Sequence, residues 1–191
     1  MRKVVAIENM TLDGFVDSQQ GLGFEWTARG YSDEVDTFGN QHVRADVDTA
    51  MYGRRTFLGM RDFWSKMPGN PDATPGERAH AQWVNNVEKI VFSTTLDSAG
   101  WHNARIINGD TAAQVEALKA GPGGTMAVYA SPKLVHAFAD MGLVDEFRIV
   151  LHPVTIGSGT PLFHDRSGLN LDLLESKVFD SGAVYLRYRL A

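Results

Sequence analysis

Two adjacent arginines, Arg54 and Arg55, follow a glycine and a short apolar run in the stretch MYGRRTF, residues 51–57. A guanidinium is costly to hold beside buried backbone unless something negative faces it. Gly53 lets the backbone approach a ligand, the arginines bring forked donors, and the turn ending at Thr56 opens a helix whose free N–H groups favour an anion. Together they suit a phosphate or pyrophosphate. A pair of solvated surface arginines is the other reading. Ser93, Thr94 and Thr95 offer three hydroxyls after the apolar run KIVF, where a ribose or its phosphate fits; a polar strand cap is the alternative. Ala130 and Ser131 lead into a second helix start, an anion site of the same physical kind. Three such strand ends point to a ligand with several phosphates, which a dinucleotide would satisfy.

Other chemistries find little support. The six histidines show no HExxH or two-His-one-carboxylate spacing, and the absence of cysteine removes thiolate catalysis and sulfur-based zinc sites, so no metal is expected. His152, before Pro153, reads as a core or interface residue. There is no G-x-S-x-G elbow, no Walker A loop and no G-x-G-x-x-G after the first strand; GPGG at 121–124 precedes a strand. A net charge of −5 without a basic stripe argues against nucleic acid as a partner. The apolar run in MRKVVAIENM is too short for a signal peptide and no window reaches membrane-spanning length, so a cytoplasmic protein with no membrane partner is expected.

The elements that must position these residues follow from periodicity. A length of 191 residues, 43% of them hydrophobic, predicts a single domain over 1–191. Strands are expected at KVVAI (3–7), DTAMYG, KIVFS, TMAVYA and DEFRIVLHPVTI. The stretch TLDGFVDSQQGLGF reads as loop, with Gly14, Gly21 and Gly23 allowing turns. Ser32 caps a helix whose Val35, Phe38 and His42 share a face. TFLGMRDFW is a further helix, and SKMPGNPDATPGERAH (65–80), with three prolines and two glycines, reads as a loop over a cleft. Thr111 and Gln114 predict a capping box, and Ser131 with Pro132 opens the last helix, with Leu134, Val135 and Phe138 facing the core. The chain closes in a hairpin turning at Asp180-Ser181-Gly182, whose last arm alternates Val184, Leu186, Tyr188 and Leu190 with Tyr185, Arg187 and Arg189 to bury one face. This is an α/β, three-layer pattern with a mostly parallel central sheet and a C-terminal antiparallel hairpin.

In this order MTLDGFV, YGRRTF, KIVFSTTL, YASPKLV and GLVDEFRIVLHPVTIGSGTPLF resemble the dihydrofolate reductase-like fold, in the branch of the C-terminal reductase domain of bacterial riboflavin biosynthesis, over about residues 3–190. The resemblance implies a homodimer that binds NADPH and transfers a hydride to a small heterocycle. The substrate would be a pteridine or ribosylated aminopyrimidine, as in reduction of 5-amino-6-(5-phosphoribosylamino)uracil, at a CH–NH, C=N or ribosyl carbonyl group. The alternative is a catalytically silent nucleotide or small-ligand binding protein of the same fold. Without cysteines the chain lacks the zinc deaminase of the bifunctional riboflavin enzyme, so a pathway role would be the reductase step alone.

By the same resemblance Gly53, Arg54, Arg55 and Thr56 match the phosphate-binding strand-to-helix turn. Ser93 and Thr94 match the adenosine ribose and its 2′-phosphate, where members often carry a basic residue at the Thr94 position. Ala130, Ser131 and Leu134 match the second turn, near the pyrophosphate, where many members have glycine in place of Ala130. Gly157 and Gly159 match a loop close to the nicotinamide. Asp13 falls beside the expected nicotinamide and is the candidate catalytic acid, although Asp-Gly is also an ordinary turn pair. Asp36 is a second candidate, because the folate reductases carry their key acid on the equivalent helix; a solvated helix face is its other reading. Phe24, Trp26 and Trp64 could stack on a planar ring or serve the core.

Overall fold

The computed structural model describes residues 1–17, 25–164 and 168–191. Strand β1 (Val4–Thr11) is followed by the short β2 (Phe15–Asp17), helix α1 (Asp33–Phe38), β3 (Val47–Gly53), α2 (Arg54–Trp64), α3 (Pro75–Asn86), β4 (Glu88–Phe92) and β5 (Ala104–Ile107). Then come α4 (Thr111–Ala120), β6 (Thr125–Tyr129), α5 (Pro132–Asp140), β7 (Glu146–His152), the short β8 (Thr160–Pro161), β9 (Leu171–Val178) and β10 (Val184–Leu190). Eight strands form one sheet in the order β5-β4-β3-β6-β1-β7-β10-β9, and β2 pairs with β8 apart from it. The six strands from β5 to β7 run parallel; β10 is antiparallel to both β7 and β9.

The strands at the centre are apolar on both faces because helices cover both. Val4 and Ala6 face α5, with Leu134, Val135 and Phe138. Val5 and Ile7 face the opposite layer, with Val35 of α1, Phe57 and Met60 of α2 and Val84 of α3. Burial of one such large side chain stabilises by roughly 1.5–3 kcal/mol, and Phe57 is wholly buried. The three-layer α/β architecture expected from the sequence is the one observed.

Several local expectations are corrected. The proline-rich stretch at 65–80 holds a 3₁₀ turn (Met67–Gly69) and the start of α3. Pro75 stands in the first turn, where a missing N–H does no harm, and Thr74 with Glu77 forms a capping box. Helix α4 is capped by Asp110, which accepts from the Ala113 amide, and not by Thr111. After α1 the chain continues through a wide turn (Gly39–Val43) ending at Arg44. β10 lies between β7 and β9, and the residue it buries is Tyr185, on the face expected to be polar, whereas Leu186 and Tyr188 on the other face are half-buried and Arg189 is exposed. Gly21, Gly23 and Phe24 lie outside the described residues.

At the N-terminal ends of the strands, Arg148 donates to Asp46 at 2.6 and 3.0 Å and to Glu146 at 2.8 Å. Arg187 donates to Glu146 at 2.7 Å. Hydrogen bonds from Arg148 pull the Asp46 carboxyl down to about 2. This network anchors the end of the sheet opposite the candidate site.

Candidate cofactor and substrate site

The carboxyl ends of the parallel strands deliver the phosphate-type residues to one edge, where open α/β sheets bind ligands. Gly53 is the extended N-cap of α2 and brings no side chain, so the first-turn amides of that helix stay open. Arg54, Phe92, Ser93, Thr94, Asn108 and Thr111 line a cleft of about 330 Å³ between this turn and the ends of β4 and β5. Arg54 and Thr94 are exposed there, whereas Arg55 is exposed outside that lining. The Ser93 hydroxyl accepts from the amides of Thr95 and Leu96 at 3.2 and 3.1 Å, which fixes the loop and leaves its own proton to donate.

The second turn is built differently from expectation. Ala130 holds the left-handed conformation, φ +48°, and its amide donates to the Ile7 carbonyl. Ser131 is 2% exposed and its side chain does not cap α5; its hydroxyl accepts from the Gly53 amide at 3.2 Å, tying the starts of α5 and α2 together. Leu134 packs in the core below, because it sits on the sheet-facing side of α5. Beneath the turn the Ser131 backbone is close enough to the Glu8 carboxyl to favour its charge, and one oxygen of Glu8, Oε1, has no partner among the described residues. Burial pushes the Glu8 pKa well up. The two open helix starts, the strained turn and a polar cleft with an arginine fit a phosphorylated dinucleotide.

Asp13 has a different job from the one expected. Its carboxylate accepts from the Gly157 amide at 2.8 Å and the Ile156 amide at 3.2 Å. Desolvation raises its pKa, but hydrogen bonds from Thr11, Gly157 and Ile156 outweigh it and keep the group ionised, so it clamps the 154–157 turn and is a poor proton donor. Gly157, at φ +73°, forms that turn. Gly159 serves the protein's own packing: a Cβ there would lie 2.3 Å from the Asp17 carbonyl oxygen, across the β2–β8 pair.

Between α1, α3 and the end of β6 lies a second polar group of residues. Asp36 is half-buried, with its carboxyl against Gly76, and burial pushes its pKa up to about 6 against the opposing pull of Arg44. Arg44 is 8% exposed, donates to Asn40 at 2.7 Å and to the Tyr129 hydroxyl at 3.4 Å, and its Nε finds no acceptor among the described residues. The Tyr129 hydroxyl lies 3.1 Å from His80 Nε2, and burial holds His80 neutral. Trp64 lies tilted against His80 with ring centres 4.2 Å apart, and Trp83 is tilted against Tyr129 at 5.3 Å. The Tyr52 hydroxyl and the Trp83 indole N–H are also unpartnered among the described residues. Among the described residues, Arg44 Nε and Trp83 Nε1 are thus donors without an acceptor near Tyr129. Trp26 stands edge-on to His152, which is fully buried, bonded to Asn9 and lowered to about 4 by burial.

Glu8, Arg44, His80 and Tyr129 are the residues that sequence reasoning missed. Glu8 alone left a signal, a charge inside an otherwise apolar strand.

The chain belongs to the RibD C-terminal domain family, whose profile matches residues 2–185. The uncharacterised protein YyaP of Bacillus subtilis is 33% identical over 98% of this chain and 94% of its own length. A dihydrofolate reductase of Enterococcus faecalis, solved with NADP(H), shares the fold at TM-score 0.62 and 13% identity over 98% of this chain and 96% of that one. A diaminohydroxyphosphoribosylaminopyrimidine deaminase/5-amino-6-(5-phosphoribosylamino)uracil reductase from Thermotoga maritima shares it at TM-score 0.67 and 14% identity, over all of this chain and 57% of that one. Among the described residues no helix is long and apolar enough to cross a membrane.

Proposed function

We propose that the protein is an NADPH-dependent reductase of a small heterocyclic substrate, of the ribosylated aminopyrimidine or pteridine type. The observation that carries this is the cleft in which Arg54, Ser93 and Thr94 meet beside two open helix starts joined through Ser131. Arg54 supplies the charge for a 2′-phosphate, the amides at the start of α2 and the positive end of α5 receive the diphosphate, and Ser93 donates to the ribose. The Asp13 clamp holds the Gly157 turn against the end of β1.

When bound, a dihydronicotinamide supplies the hydride, and the reduced substrate then needs a proton. Asp36, with a pKa near 6, holds one at neutral pH in part of the molecules and is the proton donor in this scheme. Arg44, Tyr129 and Trp83 present donors to substrate carbonyl oxygens, and Trp64 and Trp83 give a planar ring an apolar wall. The homodimer implied by the family belongs to this proposal and is checked by sedimentation equilibrium.

Fluorescence titration with NADPH and with NADH, on wild type and Arg54→Ala/Arg55→Ala, tests the cofactor assignment. A charge-assisted contact contributes roughly 1.5–3 kcal/mol, so the double variant is expected to weaken NADPH at least about tenfold and NADH far less. NADPH oxidation with 5-amino-6-(5-phosphoribosylamino)uracil and a panel of pteridines then tests turnover. Failure to bind either nicotinamide refutes the reading; tight binding without turnover on the panel favours the silent binding protein.

A further inference from the structure

Glu8 is a buried carboxyl on the central strand β1, toward its carboxyl end. It follows Val4 and Ala6 on the face covered by α5, pairs in register with the apolar Ile149 of β7, and is 4% exposed. The Ser131 backbone acts electrostatically on the carboxyl, and Oε1 has no donor among the described residues. An ionised carboxylate left half-satisfied in such a place is costly, whereas the neutral acid needs only an acceptor for its own proton. The Ser131 hydroxyl holds the Gly53 amide, so Glu8 lies under the junction of both helix starts.

Resting on the reductase reading, in which the cofactor's diphosphate occupies that junction, we propose that Glu8 is a proton-linked positioning residue: the acid form supports the diphosphate at the Ala130–Ser131 turn, and its ionisation opposes it. Two anions would otherwise share the positive end of α5 in a poorly solvated space, and like charges that close disfavour each other. Coupling is reciprocal, so the diphosphate must also hold the proton on Glu8 more tightly. The surrounding charges work in the same direction. Asp17 of β2 adds like charge to Glu8, Tyr129 of β6 is the other titratable group coupled to it, and β7 presents Ile149. Arg54 and Arg55 open α2 immediately after Gly53.

The test is the dissociation constant of NADPH, and separately of inorganic pyrophosphate, measured from pH 6 to pH 9 on wild type and Glu8→Gln. Glutamine keeps the shape of the side chain and cannot ionise. Relative to Glu8→Gln, wild type is expected to lose affinity by up to about tenfold per pH unit on the alkaline side, as one proton is linked to binding; titration of the ligand's own phosphates affects both proteins alike and cancels in the ratio. Calorimetry of the wild type in two buffers of different ionisation enthalpy gives a second reading that needs no variant: about one proton is taken up on binding at alkaline pH. Identical pH profiles for the two proteins, or no proton uptake, overturn the assignment of Glu8 and leave the reductase reading intact. Pyrophosphate binding with the expected pH dependence but no NADPH binding overturns the reductase reading and sustains the role of Glu8. Binding of neither overturns both.

Discussion

Asp36→Asn separates a carboxyl held for chemistry from one on a solvated helix face. Its pKa rises from an ordinary 3.8 to about 6, chiefly through burial and despite Arg44. Each tenfold change in proton affinity corresponds to about 1.36 kcal/mol, which puts an upper limit of about 3 kcal/mol on the destabilisation that ionised Asp36 imposes. Asp36 is only half-buried, so solvent screening reduces this to about 1–2 kcal/mol. The folded pKa is raised, so the folded state holds the proton more tightly; the stability from Asp36 is complete below about pH 4 and is lost as pH rises through about 6. Asparagine cannot ionise. Urea unfolding of both proteins at intervals from pH 4 to 8 should therefore show the variant gaining on wild type across that window, reaching about 1–2 kcal/mol at pH 8, with Glu8 cancelling because both proteins contain it. In turnover, an alkaline fall in rate near pH 6 should vanish with the variant. A stability difference that does not change with pH would refute the burial of Asp36 and its place as proton donor.

Other perturbations probe the frame around the site. Glu146→Ala removes the buried carboxylate that Arg148 and Arg187 share, leaving Arg148 on Asp46, so the loss should fall short of the roughly 3–5 kcal/mol that a fully stranded buried charge costs; a loss in urea unfolding below about 1 kcal/mol would mean the network matters little. In Gly159→Ala the new methyl meets the Asp17 carbonyl, so the amides of Phe15–Asp17 and Leu162 should lose protection in hydrogen exchange while the large sheet keeps its own. Ala130→Gly relieves a left-handed residue worth about 1–2 kcal/mol but loosens the unfolded chain by about 0.4–1 kcal/mol. Its stability should match or slightly exceed wild type, with NADPH affinity undiminished, and a fall of more than about 1 kcal/mol would show that the turn is not strained.

The layered sheet could be read from the sequence because its strands are apolar on both faces and its helices carry one apolar stripe, both local patterns. α3 escaped because Pro75 and Gly76 were weighed as breakers, whereas a proline in the first turn starts a helix. Arg54, Ser93 and Thr94 were legible as a group because each follows a strand, and parallel strands end on one side. The meeting of Tyr129 with His80 and Arg44, and of Asp13 with Gly157, joins residues far apart in the chain, so no spacing announced it. The partners of Asp13 lie in the 154–157 turn, far off in the chain, so its role as a clamp left no local signal. The side chains of Leu134 and Ser131, positions beside the same turn, face inward, which the sequence position alone did not reveal.

Strand β1 sits at the heart of the sheet, with Val4 paired to Met126 and Val5 to Glu146. During synthesis it emerges long before either neighbour exists, and its two flanking strands cannot dock until most of the chain has left the ribosome. Such distant pairing slows folding, and an apolar β-branched run waiting unpaired is a template for association with other chains. Yield on expression should therefore respond to translation speed and to chaperone supply more than the thermal midpoint of the finished protein would suggest.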